Sequence, residues 1–139
     1  MNDYEKSAKN FLKKADTTMR ILQIGVVNGF PNDPSDKQKH IKYRVVLTRH
    51  EKVFDFDFYG SHADYLARKL PSEYDVLACI EKYEYPLDPW EFSREFGYEI
   101  ECEDDYNRVR KIAEACREQY EGLLDLFGEE LMEELEEIQ

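Results

Sequence analysis

The stretch Ile41–Tyr59, IKYRVVLTRHEKVFDFDFY, decides the fold. Ile41, Tyr43, Val45 and Leu47 alternate with Lys42, Arg44 and Thr48, the two-residue period of a strand with one buried face. The second half alternates more sharply. Phe54, Phe56 and Phe58 point one way, and Val53, Asp55, Asp57 and Tyr59 point the other. The polar residues Arg49–Lys52 between them fit a tight turn centred on His50-Glu51, so an antiparallel hairpin is predicted. Upstream, Met19–Val27 is rich in β-formers (Ile21, Leu22, Ile24, Val26, Val27) and supplies a third strand. Residues 28–39, with Asn28-Gly29, Pro31, Pro34 and several Asp and Ser, read as a long loop. A three-stranded sheet with one apolar face needs helices to cover it.

The flanking sequence provides them. Tyr4, Ala8, Phe11, Leu12 and Ala15 recur at helical spacing over residues 3–16, and Thr17-Thr18 breaks the pattern. Ser61–Leu70 is a short helix ended by Pro71. Ser72–Tyr83 is a second, with Val76, Leu77, Ile80 and Tyr83 on one face and Glu73 and Asp75 in the first turn, where the helix dipole favours them. Asp88-Pro89 reads as a cap followed by Pro at the first helical position of a helix over Trp90–Phe96, which Gly97 stops. Glu103–Phe127 is the longest helix, its stripe running through Tyr106, Val109, Ile112, Ala113, Cys116, Tyr120, Leu123, Leu124 and Phe127. Gly128 either bends it or separates it from a last helix, whose narrow seam is Leu131, Leu135 and Ile138. That seam serves either internal packing or the pairing of two chains as a homodimer. The expectation is a single α+β domain over residues 1–139: a helix and a three-stranded antiparallel sheet over 1–59, and a mostly helical, acidic half over 60–139 packed on it.

Composition agrees with a folded chain. Although 36% of the 139 residues are charged and the net charge is -12, 42% are hydrophobic and 14% aromatic, more than an acidic disordered chain carries. Nothing at the N-terminus has the charged and apolar regions of a signal peptide, and no run reaches the ~20 apolar residues of a membrane span. The three cysteines, Cys79, Cys102 and Cys116, are odd in number and without C-x-x-C spacing. They read as plain buried or half-buried thiols rather than a disulfide or zinc framework. A cytoplasmic location is expected, with no membrane partner.

Candidate chemistry is thin. His40, His50 and His62 lack metal-ligand spacing and a neighbouring nucleophile, and are expected to be exposed structural residues. Asp55 and Asp57 share a strand face and suit magnesium or manganese, but a third acidic ligand and a phosphate-binding loop are not recognisable. Alternation places the pair on the solvent face. Cys79 lies in a predicted helix with no nearby cation to lower its pKa. The six glycines are all isolated, so no phosphate cradle exists. No catalytic residues, metal ligands or cofactor are expected, and the chain reads as a binding protein rather than an enzyme.

Charge is distributed unevenly. Residues 1–70 hold 13 Lys and Arg against 9 Asp and Glu, whereas residues 71–139 hold 6 against 22. Glu121, Asp125, Glu129, Glu130, Glu133, Glu134, Glu136 and Glu137 fall within Glu121–Gln139, a stretch without Lys or Arg. Like-charge i,i+4 pairs such as Glu129–Glu133 and Glu130–Glu134 each cost a helix about 0.2–0.5 kcal/mol. Most charge runs are solvated helix faces. This one equally suits a basic partner, and it argues against direct nucleic-acid binding by the acidic half, because phosphate contact needs Lys and Arg. The basic half offers Lys37, Lys39, Lys42, Arg44, Arg49 and Lys52 around the hairpin, with Tyr43 placed for base stacking.

Pro71-Ser-Glu-Tyr74-Asp75-Val76-Leu77-Ala78-Cys79-Ile80-Glu-Lys82-Tyr83, then Trp90-Glu-Phe92-Ser-Arg-Glu95-Phe96-Gly97-Tyr98, resembles a family of small proteins carried by phages and other mobile elements. The resemblance extends to Leu126-Phe127, Glu129-Glu130-Leu131 and Leu135-Glu-Glu-Ile138, and to Asn10-Phe11-Leu12-Lys13-Lys14 with Thr17-Thr18. It departs from the family pattern at Pro86-Leu87-Asp88-Pro89 and at Ser93, where a cysteine is frequent. The resemblance carries over no activity and no catalytic residue. It implies an anti-defence role, such as that of anti-CRISPR proteins that occupy a nucleic-acid-binding site. The eight carboxylates would then imitate a nucleic-acid backbone and dock on a basic host nuclease or CRISPR effector in the host cytoplasm. The alternative is an accessory module of the element's own DNA replication or recombination, contacting nucleic acid through the basic N-terminal half.

Overall fold

The structure, a computed structural model, describes residues 2–31, 33–80 and 84–138. Its contacts group the chain into two compact units, Met1–Ile80 with Leu126–Gln139, and Glu81–Asp125. The three-stranded antiparallel sheet is followed by helices, as the alternation and the helical stripes require.

In the first unit, helix α1 (Asp3–Lys14) is capped by Asn2, whose side chain accepts from the Glu5 N–H at 2.8 Å, and it buries Ala8, Phe11 and Leu12. Asp16, at φ 50°, turns the chain directly into β1 (Thr17–Asn28). Thr17-Thr18 therefore opens the first strand rather than a gap, and the Thr17 hydroxyl donates to the Ala15 carbonyl at 3.0 Å. Strands β2 (Lys39–Arg49) and β3 (Lys52–Tyr59) complete the order β1-β2-β3.

Tyr43, Val45 and Leu47 lie opposite Phe58, Phe56 and Phe54, and opposite Gln23, Ile21 and Met19 on the other side. The ladder shifts register between Gln23 and Gly25, so Ile24 is a bulge. Arg49 pairs with Lys52 across the two-residue turn, where His50 takes φ 56°. Central β2 buries its apolar face almost completely, with Tyr43 2% exposed and Val45 and Leu47 fully covered. The three phenylalanines of β3 are half-buried.

The loop before β2 is organised by Asp36, whose carboxylate accepts from the Phe30 and Gln38 N–H groups at 3.0 Å each. Gly29, at φ 86°, donates to the Gln38 carbonyl, and any side chain on it would collide with the Asp36 carbonyl. Helix α2 (His62–Ala67) starts at its Ser61 cap but ends before Pro71. Arg68 adopts the left-handed conformation, and the Arg68 and Lys69 N–H groups turn back to the Tyr65 and Asp64 carbonyls.

Helix α3 (Glu73–Leu77) has the Ser72–Asp75 capping box but is shorter than expected. Cys79 and Ile80 donate to carbonyls three residues back, and this tighter turn carries Ile80 into the core beside Val76 and Leu77. Glu81–Tyr83, the rest of the expected helix, lie outside the described residues.

In the second unit, helix α4 (Pro89–Phe96) runs from its Asp88 cap to Gly97 at φ 78°. Helix α5 (Glu103–Phe127) has the expected bounds, and its Leu126 and Phe127 are grouped with the first unit. Tyr85, Phe92, Val109 and Ala113 form the core here, with Phe96, Tyr98, Ile100, Ile112 and Cys116 packed against it. Arg117 secures the segment before α4 by donating to the Tyr85 carbonyl at 2.6 Å and to Glu84 at 2.7 Å. The chain then returns to the first unit through Gly128 (φ 82°), helix α6 (Glu129–Glu134) and a 3-10 turn (Leu135–Glu137).

Leu47→Ala empties a closed site on β2 and is expected to cost about 2–5 kcal/mol in urea unfolding. Val53→Ala, on a side chain 64% exposed, should stay within about 0.5 kcal/mol of the parent.

Candidate acidic interaction surface

The strongest functional signal in the sequence, the C-terminal carboxylates, falls on a short two-part helix with one anchored face. Met132, Leu135 and Ile138 are buried, while Leu131 is half-buried. Leu135 and Ile138 of the seam read as Leu131, Leu135 and Ile138 thus pack internally, with Leu135 fully covered and Met132 joining them. Burial of that stripe turns Glu129, Glu130, Glu133, Glu136 and Glu137 outward, and all five are exposed. None of the five makes an ion pair with a described residue.

Glu134 is different. Its Oε1 lies 2.7 Å from Lys14 Nζ, across to α1. The hydrogen bond and charge of Glu134 hold the Lys14 ammonium above the usual lysine range, with smaller contributions from Glu137 and Glu130. The tract, free of Lys and Arg in sequence, therefore acquires one cation from a helix 120 residues away. Glu121 and Asp125 are exposed on α5 in the other compact unit. Glu121 accepts from Arg117 Nε at 3.2 Å, one helical turn before it. The structure thus brings together five of the eight carboxylates, neutralises Glu134 in part, and sets Glu121 and Asp125 on a different unit.

The basic hairpin is committed to the fold. Arg44 is held by Asp57 through Nε and by Asp55 through a terminal nitrogen, both at 2.8 Å, and Lys42 stands 3.5 Å from Asp57. These bonds hold the Arg44 guanidinium above its ordinary range, Asp57 contributing most. Asp55 and Asp57 do lie on the open sheet face, but as partners of Arg44. Arg49 donates to two carbonyls, Ala15 at 2.9 Å and Leu126 at 3.2 Å, both near helix C-termini. Tyr43 is buried under the sheet, so it cannot stack on a base. Lys37 and Lys39 remain exposed.

Two other expectations are corrected. His40 is not exposed: it is 1% accessible, with Nδ1 at 2.9 Å from the Gly60 carbonyl and Nε2 at 2.7 Å from Asp36. Phe30 stacks on its ring at a centroid distance of 3.8 Å. Asp36 and His40 stand four residues apart, a spacing that carries no signal outside a helix, so the sequence did not show that they meet. Cys79 and Cys102 are exposed rather than buried, and Cys79 sits in the turn after α3 instead of within a helix. Cys116 is half-buried as expected.

Among the described residues, no three His, Cys, Asp or Glu side chains stand close enough to hold a metal ion, and no helix is long and apolar enough to cross a membrane. No protein-family model, curated protein or solved structure matches the chain.

The hydrogen bond from the Gln38 N–H, with those from Phe30 and His40, holds the Asp36 carboxyl below the usual aspartate range. A depressed carboxyl pKa contributes stability that is full above the unfolded-state value and lost as pH falls through the folded one. Asp36→Asn should therefore lower stability at neutral pH and flatten the acid limb of a stability–pH curve. A variant with the parent's acid limb would show that Asp36 does not anchor the loop.

Proposed function

We propose that the chain is a non-enzymatic binding protein whose α6 turn docks on a basic, nucleic-acid-binding surface of a partner protein. One observation carries this reading: Glu129, Glu130, Glu133, Glu136 and Glu137 all face solvent, without an ion pair to a described residue, on a helix fixed from behind by Met132, Leu135 and Ile138. Residues 129–137, α-helical and then 3-10, span about 12–14 Å. Five carboxylates over that length give roughly one charge per 2–3 Å, the same order as the ~1.7 Å per phosphate along duplex DNA. A rigid row of such density is complementary to grooves that bind nucleic-acid backbones, and the net charge of -12 steers the encounter.

The resemblance to small phage and mobile-element proteins supplies the biological setting. The partner is a host defence nuclease complex, and the protein is an inhibitor of the anti-CRISPR kind acting by DNA mimicry. The mutual repulsion of the carboxylates is a cost that a basic partner removes. The alternative, nucleic-acid contact through the basic hairpin in replication or recombination, is disfavoured because Arg44, Arg49 and Tyr43 are engaged within the fold.

The quadruple variant Glu129→Lys, Glu130→Lys, Glu133→Lys, Glu137→Lys tests this directly. At low salt the parent should capture a basic nuclease or effector from host lysate and release it at high salt. The variant, checked for folding by circular dichroism, should associate about 10- to 1,000-fold more slowly. Capture unchanged in the variant, or recovery of DNA by the parent, would overturn the reading.

A further inference from the structure

The two edges of the sheet are built differently. β3 carries Lys52, Asp55 and Asp57 in eight residues, charges of the kind that keep edge strands from pairing with other chains. β1 has twelve residues, a single charge at Arg20, and neither lysine nor proline. Every second residue of an antiparallel edge strand turns its N–H and C=O outward, unpaired by the sheet. The middle of β1 is also apolar and open, with Leu22, Ile24 and Val26 between 40% and 51% exposed. A methyl group built on Gly25 would meet nothing within 4 Å. The bulge at Ile24 bends the strand locally but removes no apolar side chain from the edge.

Beside this edge lies a groove of about 430 Å³, lined by Gln23, Val26, Tyr65, Leu66, Arg68 and Leu70. Leu66 and Leu70 are 67% and 71% exposed. Of the nine exposed large apolar side chains among the described residues, Val26, Leu66 and Leu70 line this groove, and Leu22 and Ile24 lie along the same edge strand. Among the described residues, Arg68 is the only charged one lining the groove. Its backbone is fixed as the left-handed end of α2, and its side chain makes no ion pair with a described residue.

We propose that β1, from Leu22 to Val26, accepts an extended segment of another protein as a fourth strand. An apolar side chain of that segment enters the groove and a carboxylate meets Arg68. Main-chain hydrogen bonds to the edge give affinity, and alternate side chains give selectivity. Charge selects the occupant: in a chain of net charge -12, this groove is cationic. A second copy of β1 is a poor occupant, because β1 contains no carboxylate to offer Arg68. The site uses none of the α6 carboxylates and stands independently of the function proposed for them.

Two seven-residue peptides, one alternating valine and glutamate and one alternating valine and lysine, provide the probes. In a titration of the full 15N-labelled chain, the valine–glutamate peptide should shift the Leu22–Val26 and Arg68–Leu70 amides and slow their hydrogen exchange. Arg68→Glu should weaken that peptide about tenfold, the order of one charge pair, and turn preference to the lysine peptide. Val26→Lys, at an exposed position, should weaken it without unfolding the protein. The proposal is overturned by the absence of β1 shifts at millimolar peptide, by equal binding of both peptides, or by shifts confined to α6. Protection of β1 amides that grows with protein concentration alone would assign the edge to a second copy instead.

Discussion

Strand β2 is paired on both sides, and that position constrains most of the first unit. A strand with two neighbours has no free backbone, so its two faces must do all the chemical work. Tyr43, Val45 and Leu47 line one face and are closed from water. Arg44 lies on the other, balanced by Asp55 and Asp57. Because side chains alternate with a period of two, a slip of one residue would expose the first set and bury an arginine. The register is therefore fixed by β2, and β1 and β3 follow it. At its end Arg49 extends that control by binding the Ala15 and Leu126 carbonyls. The exit of α1, the hairpin turn and the return from α5 are thereby joined through one guanidinium.

The charge asymmetry takes on a different meaning once the chain is folded. Three basic residues of the N-terminal half, Lys42, Arg44 and Arg49, hold the sheet and the helix ends. Acidic residues at the C-terminus are mostly left over, because residues 129–139 hold no Lys or Arg and, among the described residues, Lys14 alone pairs with them.

The sheet presents a second contrast. One edge is guarded by charge and the other is apolar beside a cationic groove. An anionic helical turn and an open strand edge are two recognition devices of different physics, one long-range and salt-sensitive, the other short-range and dependent on main-chain hydrogen bonds.

Local rules made much of this architecture legible. Alternation placed β2 and β3 and the faces of Phe54, Phe56 and Phe58. Capping chemistry placed Asp88-Pro89, Gly97 and Ser72, because caps act through bonds within four residues. The carboxylate row was visible as composition on a helical period. Other features depended on residues far apart in the chain, and for these the sequence was silent or misleading. α3 stops at Leu77, and Cys79 and Ile80 follow in a tighter turn that still buries Ile80. His40 is buried because Gly60, twenty residues on, and Asp36 supply acceptors for its ring. Lys14 meets Glu134, and Arg49 meets Leu126, only after folding. Periodicity and capping are encoded within a few residues and can be read directly. Which charges stay free, which face of α6 is anchored and which sheet edge stays open are set by long-range packing, and only the tertiary structure decides them.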